Sequence, residues 1–137
     1  MDSRQRFEQI AQYFETLTPQ SVSDLKVFYS ATARFKDPFN DVTGIPAIAT
    51  IFEHMFASLT QPRFVITGQV VDGDQAFLTW EFRFRFKRFD TQTEQVVLGT
   101  SHLVLDADQR ISLHRDYWDA AEELYEKLPW IGALMRW

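Results

Sequence analysis

The chain has 137 residues, 45% hydrophobic and 15% aromatic, which suits one folded core and argues against disorder. Fourteen basic against nineteen acidic side chains give a formal net charge of −5, unlike a non-specific nucleic-acid binder. Cysteine is absent, so disulfides, thiol nucleophiles and thiolate metal sites are excluded.

Phe7, Ile10, Ala11, Phe14 and Leu17 recur at helical spacing and predict a first helix over residues 4–17. Thr18-Pro19 supplies a cap and a proline at the first helical position of a second helix, whose stripe is Val22, Leu25, Phe28 and Tyr29. Ala33, Phe35 and Asp37 fall on one face of a short strand, because strand side chains alternate. Asn40 to Gly44 is turn chemistry. Pro46 opens a third helix striped by Ile48, Ile51, Phe52, Met55, Phe56 and Leu59.

The period then changes to two. Residues 63–71 predict a strand, Asp72-Gly73-Asp74 a turn, and residues 75–89 a long strand. On that strand Trp80, Phe82, Phe84 and Phe86 face one way, while Glu81, Arg83, Arg85 and Lys87 face the other, so one side is buried and the other wet or paired. A loop over Asp90 to Gln95 leads to strands over 96–105 and 110–118, joined by Asp106-Ala107-Asp108-Gln109. Asp119 then caps a last helix, with Glu122 three residues on and Ala120, Ala121, Leu124, Tyr125 and Leu128 as its stripe, until Pro129 breaks it.

This order predicts an α+β fold: a strongly curved, cone-shaped mixed or antiparallel sheet covered by three N-terminal helices, with a short C-terminal helix, as a single domain over residues 1–137. A bent sheet closed by helices leaves a cavity suited to a ligand. Met1 to Arg6 is polar with no apolar signal core after it, and no apolar run reaches the roughly 20 residues of a membrane span. A cytoplasmic location is expected.

Four segments carry a resemblance: Tyr13 on the first helix, Ala33-Arg34-Phe35-Lys36-Asp37-Pro38, Gly44 with the helix after it, and His114-Arg115-Asp116-Tyr117-Trp118-Asp119. The layout resembles the nuclear transport factor 2-like superfamily, in its SnoaL-like and ketosteroid isomerase-like branches. The resemblance implies Asp37 as a proton-shuttling base, Tyr13 as an oxyanion donor and Asp116 as an acid/base. The position of the isomerases' third residue, an acid, falls on Ser101, which would be a weaker donor.

Each candidate also has a plainer reading. Asp37 is either a base at the pocket mouth or a turn-forming residue before Pro38. His114, Asp116 and Trp118 share one strand face, which either lines the cavity, where His114 would shuttle protons and Asp116 orient a ligand, or meets solvent; a one-residue slip decides. The Tyr13 hydroxyl reaches the cavity or stays at the core edge. Ser101 is a donor or an ordinary strand serine. Phe35, Trp80, Phe82 and Trp118 are expected to line the pocket, although aromatic stripes also build plain cores. His54, His102 and His114 lack metal-ligand spacing, so no metal is expected, and no cofactor motif appears. The expected partners are a small hydrophobic or aromatic molecule and a second copy in a homodimer. The expected chemistry is cofactor-free isomerisation, cyclisation or hydration of a hydrophobic carbonyl compound. The alternative is a non-catalytic ligand-binding or dimeric scaffold, with the apolar tail over residues 129–137 as a possible contact for a membrane surface.

Overall fold

The computed structural model describes residues 1–125, so Leu128, Pro129 and the apolar tail lie outside the described residues. Helix α1 spans Ser3–Glu15. The Asp2 side chain accepts from the Gln5 N–H and the Gln5 side chain accepts from the Asp2 N–H, a reciprocal box that starts the helix. Its apolar stripe, Phe7, Ile10, Ala11 and Phe14, is buried.

The second helix is shorter than its stripe suggests. A 3-10 turn, Ser21–Asp24, runs into a single α-turn, α2 (Leu25–Phe28), and Tyr29 already belongs to strand β1 (Tyr29–Lys36). The strand wins because Tyr29 is fully buried there, paired with Ile111 and hydrogen-bonded through its hydroxyl. β1 ends before Asp37, which begins a turn into β2 (Asp41–Thr43). Gly44, at φ +97°, turns the chain into α3 (Ile45–Ser58); a side chain is strained at that angle.

The rest is sheet: β3 (Leu59–Asp72), β4 (Gln75–Phe86), β5 (Gln95–Leu105) and β6 (Ile111–Tyr117). The six strands run β2-β1-β6-β5-β4-β3, and the sheet is mixed because β1 and β6 pair in parallel while the other neighbours are antiparallel. Register shifts in the β3–β4 pairing, between Thr60 and Arg63 and between Ile66 and Gly68, bend this long hairpin; bulges of this kind curve a sheet. A last π-helical turn, Ala121–Tyr125, follows, with Asp119 accepting from the Glu122 N–H.

The alternation read from β4 sets the layers. Trp80, Phe84 and Phe86 are buried on the concave side, and Phe82 is half-buried beside them. On the other side Arg83 bonds Glu81 and Glu94, and Arg63 pairs with Glu94. One core cluster joins α1, β1 and α3 to the sheet; a second, of Leu59, Trp80, Phe84, Phe86 and Val97, gathers on β3, β4 and β5. Each buried aromatic contributes about 1.5–3 kcal/mol. Among the described residues, no helix is long and apolar enough to cross a membrane.

Candidate functional site

Between the concave sheet face and α3 lies a cavity of about 100 Å³. Its walls are Phe35, Phe39, Phe52, Phe64, Trp80, Phe82, Phe84 and Trp118, together with Ile51, Met55, Leu59 and Val97. The polar side chains on it are Asp37, Asn40 and Asp116. A smaller chamber of about 20 Å³ shares Phe52, Phe64, Trp80 and Asp116 with it and adds Ser101 and His114. One water needs about 10–15 Å³, so the inner chamber suits a single water and the outer one a small organic molecule.

Strand alternation places the inner polar group. On β6, His114 and Asp116 are two apart and share a face, and across β5 Ser101 is the direct partner of Asp116. Trp80 Nε1 donates to Ser101 Oγ at 2.9 Å, and Ser101 Oγ donates to Asp116 Oδ1 at 2.5 Å. His114 Nε2 lies 2.7 Å from the same Oδ1, and His114 Nδ1 lies 2.5 Å from the Tyr29 hydroxyl. With the Tyr29 O–H donating to Nδ1, Nε2 carries a proton and donates to Asp116 as the acceptor. The imidazole is clamped by Phe35 at 4.6 Å and Phe14 at 5.5 Å between ring centres. Burial, then the charge of Asp116, pushes the Tyr29 phenol well above its ordinary value, which keeps it a donor. Among the described residues, Asp116 Oδ2 has no hydrogen-bond donor.

Asp37 sits beside this group for a topological reason. In the parallel β1–β6 pair, Phe35 faces His114 and Lys36 faces Arg115, so the next step sets Asp37 alongside Asp116. Its Oδ1 accepts from the backbone N–H of Phe39 at 2.8 Å and of Asn40 at 2.7 Å, and Asn40 Nδ2 contacts both carboxylate oxygens. Asp37 is therefore both things its sequence context allows: it folds a turn and it faces the cavity. Burial raises its pKa from the carboxylate norm, the turn's hydrogen bonds oppose that, and the charge of Asp116 adds to the rise.

Tyr13 departs from its expected place. Its hydroxyl donates to the Ser21 carbonyl at 2.7 Å, its ring stacks on Phe28 at 4.3 Å, and it lines neither chamber. Burial, then the charge of Asp24, pushes its phenol up to about 12. The 3-10 turn after α1 brings that carbonyl within reach and turns the hydroxyl away from the ligand space. Phe35, Trp80, Phe82 and Trp118 line the outer cavity, and Ser101 lines the inner one.

Two residues escape a reading of the sequence. Tyr29 fits a helical stripe, and only the strand pairing turns its hydroxyl to His114. Gly99, opposite Trp80 on β5, leaves the space in which the indole lies: a Cβ there would stand 2.2 Å from Trp80 Cη2. A glycine inside a strand pattern is the signal that marks such a close approach.

The family model for the SnoaL-like domain matches residues 10–114. The chain belongs to this SnoaL-like family. Among curated proteins, none matches this chain at a significant level. Solved structures are similar in fold. An epoxide hydrolase of M. tuberculosis described as LEH-like is 16% identical, with a TM-score of 0.71, over 96% of this chain and 93% of that one. An NTF2-like protein of unknown function from Burkholderia pseudomallei K96243 is 11% identical, with a TM-score of 0.73, over 89% and 94%. A hypothetical protein with a ketosteroid isomerase-like fold from Catenulispora acidiphila DSM 44928, in complex with trimethylamine, is 18% identical, with a TM-score of 0.69, over 83% and 85%.

Proposed function

We propose that this SnoaL-like protein binds a small, mostly apolar carbonyl compound and moves a proton on it without a cofactor. One observation carries the reading: Asp116 is fixed through Oδ1 by Ser101 and His114, while Oδ2 has no donor among the described residues at an apolar cavity wall. An oriented base with one open oxygen, at a wall made of hydrocarbon, suits proton abstraction. The C–H bond next to the carbonyl breaks, its proton passes to Asp116 Oδ2, its electron pair forms a C=C bond to the carbonyl carbon, and the C=O π pair moves onto the oxygen. Asn40 lines the same cavity with its Nδ2 already donating to Asp37, and an amide hydrogen left over from that contact would take the donor role first expected of Tyr13. His114 and Tyr29 hold Asp116 rather than touch the ligand. Asp37 is held in its turn by the Phe39 and Asn40 N–H groups and is not the base.

The test is exchange of α-protons of cyclohexanone and acetophenone in D2O, followed by NMR. Exchange above buffer that Asp116→Asn removes supports the reading. Exchange at buffer rate with the wild-type protein, or undiminished in the variant, refutes it. A non-catalytic binding module is the second reading, favoured by the saturation of Asp37 in its turn; ligand binding with no exchange would select it.

A further inference from the structure

The charges that the described residues place on the outer cavity all have one sign. Among the described residues, its titratable lining groups are Asp37 and Asp116, and none of the lining residues is a lysine, arginine or histidine. Lys36 and Arg115, the chain neighbours that precede these acids, alternate to the opposite sheet face, where they act on Asp41. An anionic ligand would therefore meet two carboxylates and no cation. A neutral hydrocarbon would cover the partly exposed Asp116 carboxylate without giving its Oδ2 a donor, which is costly.

The aromatic walls fit a cation. Trp80, Trp118, Phe39 and Phe64 are packed edge to face: Phe39 meets Trp118 at 5.6 Å and 65°, and Phe64 meets Trp80 at 5.6 Å and 81°. Ring faces attract cations through their quadrupole, and the attraction grows when water is excluded. Carboxylates beside aromatic walls bring a positive head and its alkyl substituents into one space. A cation there also offsets the repulsion between the neighbouring Asp37 and Asp116, the same repulsion that helps raise Asp37.

We propose that the ligand of this cavity carries a small alkylated ammonium group, seated between Asp37, Asp116 and the rings of Trp80 and Trp118. This rests on the reading that the cavity is the ligand site, and it narrows the substrate to an amine-bearing compound. Asp37 holds the positive head, which leaves Asp116 for chemistry.

The test is calorimetric titration at low salt with choline and with 3,3-dimethylbutan-1-ol, which differ by carbon in place of charged nitrogen. Choline is expected to bind at least about tenfold more tightly, the size expected of a partly desolvated cation–aromatic contact with a carboxylate behind it. The double variant Asp37→Asn/Asp116→Asn is expected to bring the two ligands close to parity, and its circular dichroism melt reports whether it is folded. Trp118→Leu, which leaves both acids in place, is expected to lower choline affinity more than that of the alcohol. Equal or tighter binding of the neutral alcohol overturns the ammonium preference and leaves the cavity as a ligand site. Binding of neither compound overturns the ammonium proposal, and the ketone exchange then decides the cavity separately. Choline binding unchanged by both variants places it elsewhere and also overturns the proposal.

Discussion

Replacing Gly99 by alanine tests how the inner polar group is held. The added Cβ would stand 2.2 Å from Trp80 Cη2 and 2.6 Å from Cζ2 and Cζ3. Carbon atoms prefer separations of about 3.5–4.0 Å, so the indole must shift by more than about 1 Å. It has little freedom to do so, because its Nε1 is bonded to Ser101 at 2.9 Å and its ring packs on Phe64. Overpacking costs about 1–3 kcal/mol, and loss of the Trp80–Ser101 bond about 0.5–1.5 kcal/mol. The stiffer unfolded chain returns about 0.4–1 kcal/mol. The net expectation is a destabilisation of about 2–3 kcal/mol. For a chain of this length that is about 7–10 °C in Tm. Differential scanning calorimetry measures it. Trp80→Phe in the Gly99→Ala background should recover part of the loss, giving a non-zero coupling in a double-mutant cycle. A Gly99→Ala variant melting within about 2 °C of wild type, with no coupling, would refute the packing argument.

Asp37 gives a pH signature. Its pKa is raised in the folded chain, chiefly by burial, so between the unfolded and folded values the folded state holds more proton than the unfolded one. Its contribution therefore falls as pH rises through that window, from just below 4 upward, and levels off above the folded value; Asp37→Asn should flatten that segment of a urea-denaturation profile, and an identical slope in both proteins would count against it. Tyr29→Phe removes the donor to His114 Nδ1 from a fully buried site and is expected to cost about 1–3 kcal/mol by chemical denaturation, with weaker proton exchange; a neutral substitution would mean that the imidazole needs no partner there. The expected homodimer would use the outer sheet face, where Val65, Phe77 and Leu98 are exposed, so Leu98→Lys should shift the light-scattering mass toward monomer. A monomeric wild type would end that expectation.

The order of helices and strands was legible because each element carries its own period. The 3.6-residue stripes of α1 and α3 and the two-residue alternation of β4 are set by neighbours along the chain, and burial only had to agree with them. The pairing of His114 with Asp116 on one face followed from the same alternation. The boundary at Tyr29 did not, since its spacing fits the helical stripe and its burial is equal on either reading. Only the parallel contact with β6, a pairing across most of the chain, makes the strand the better state for it.

The same division runs through the site. The sequence alone determined which side chains share a strand face, that Asp37 precedes a turn, and that an aromatic concave wall exists, because these depend on residues a few positions apart. The tertiary structure decided that Tyr29 reaches His114 while Tyr13 turns away from the cavity, that Gly99 admits the indole, and that Asp37 lies next to Asp116. Those facts depend on which strands are neighbours and in what register, and hydrogen-bond direction and close packing act across that distance, where no local pattern reports them.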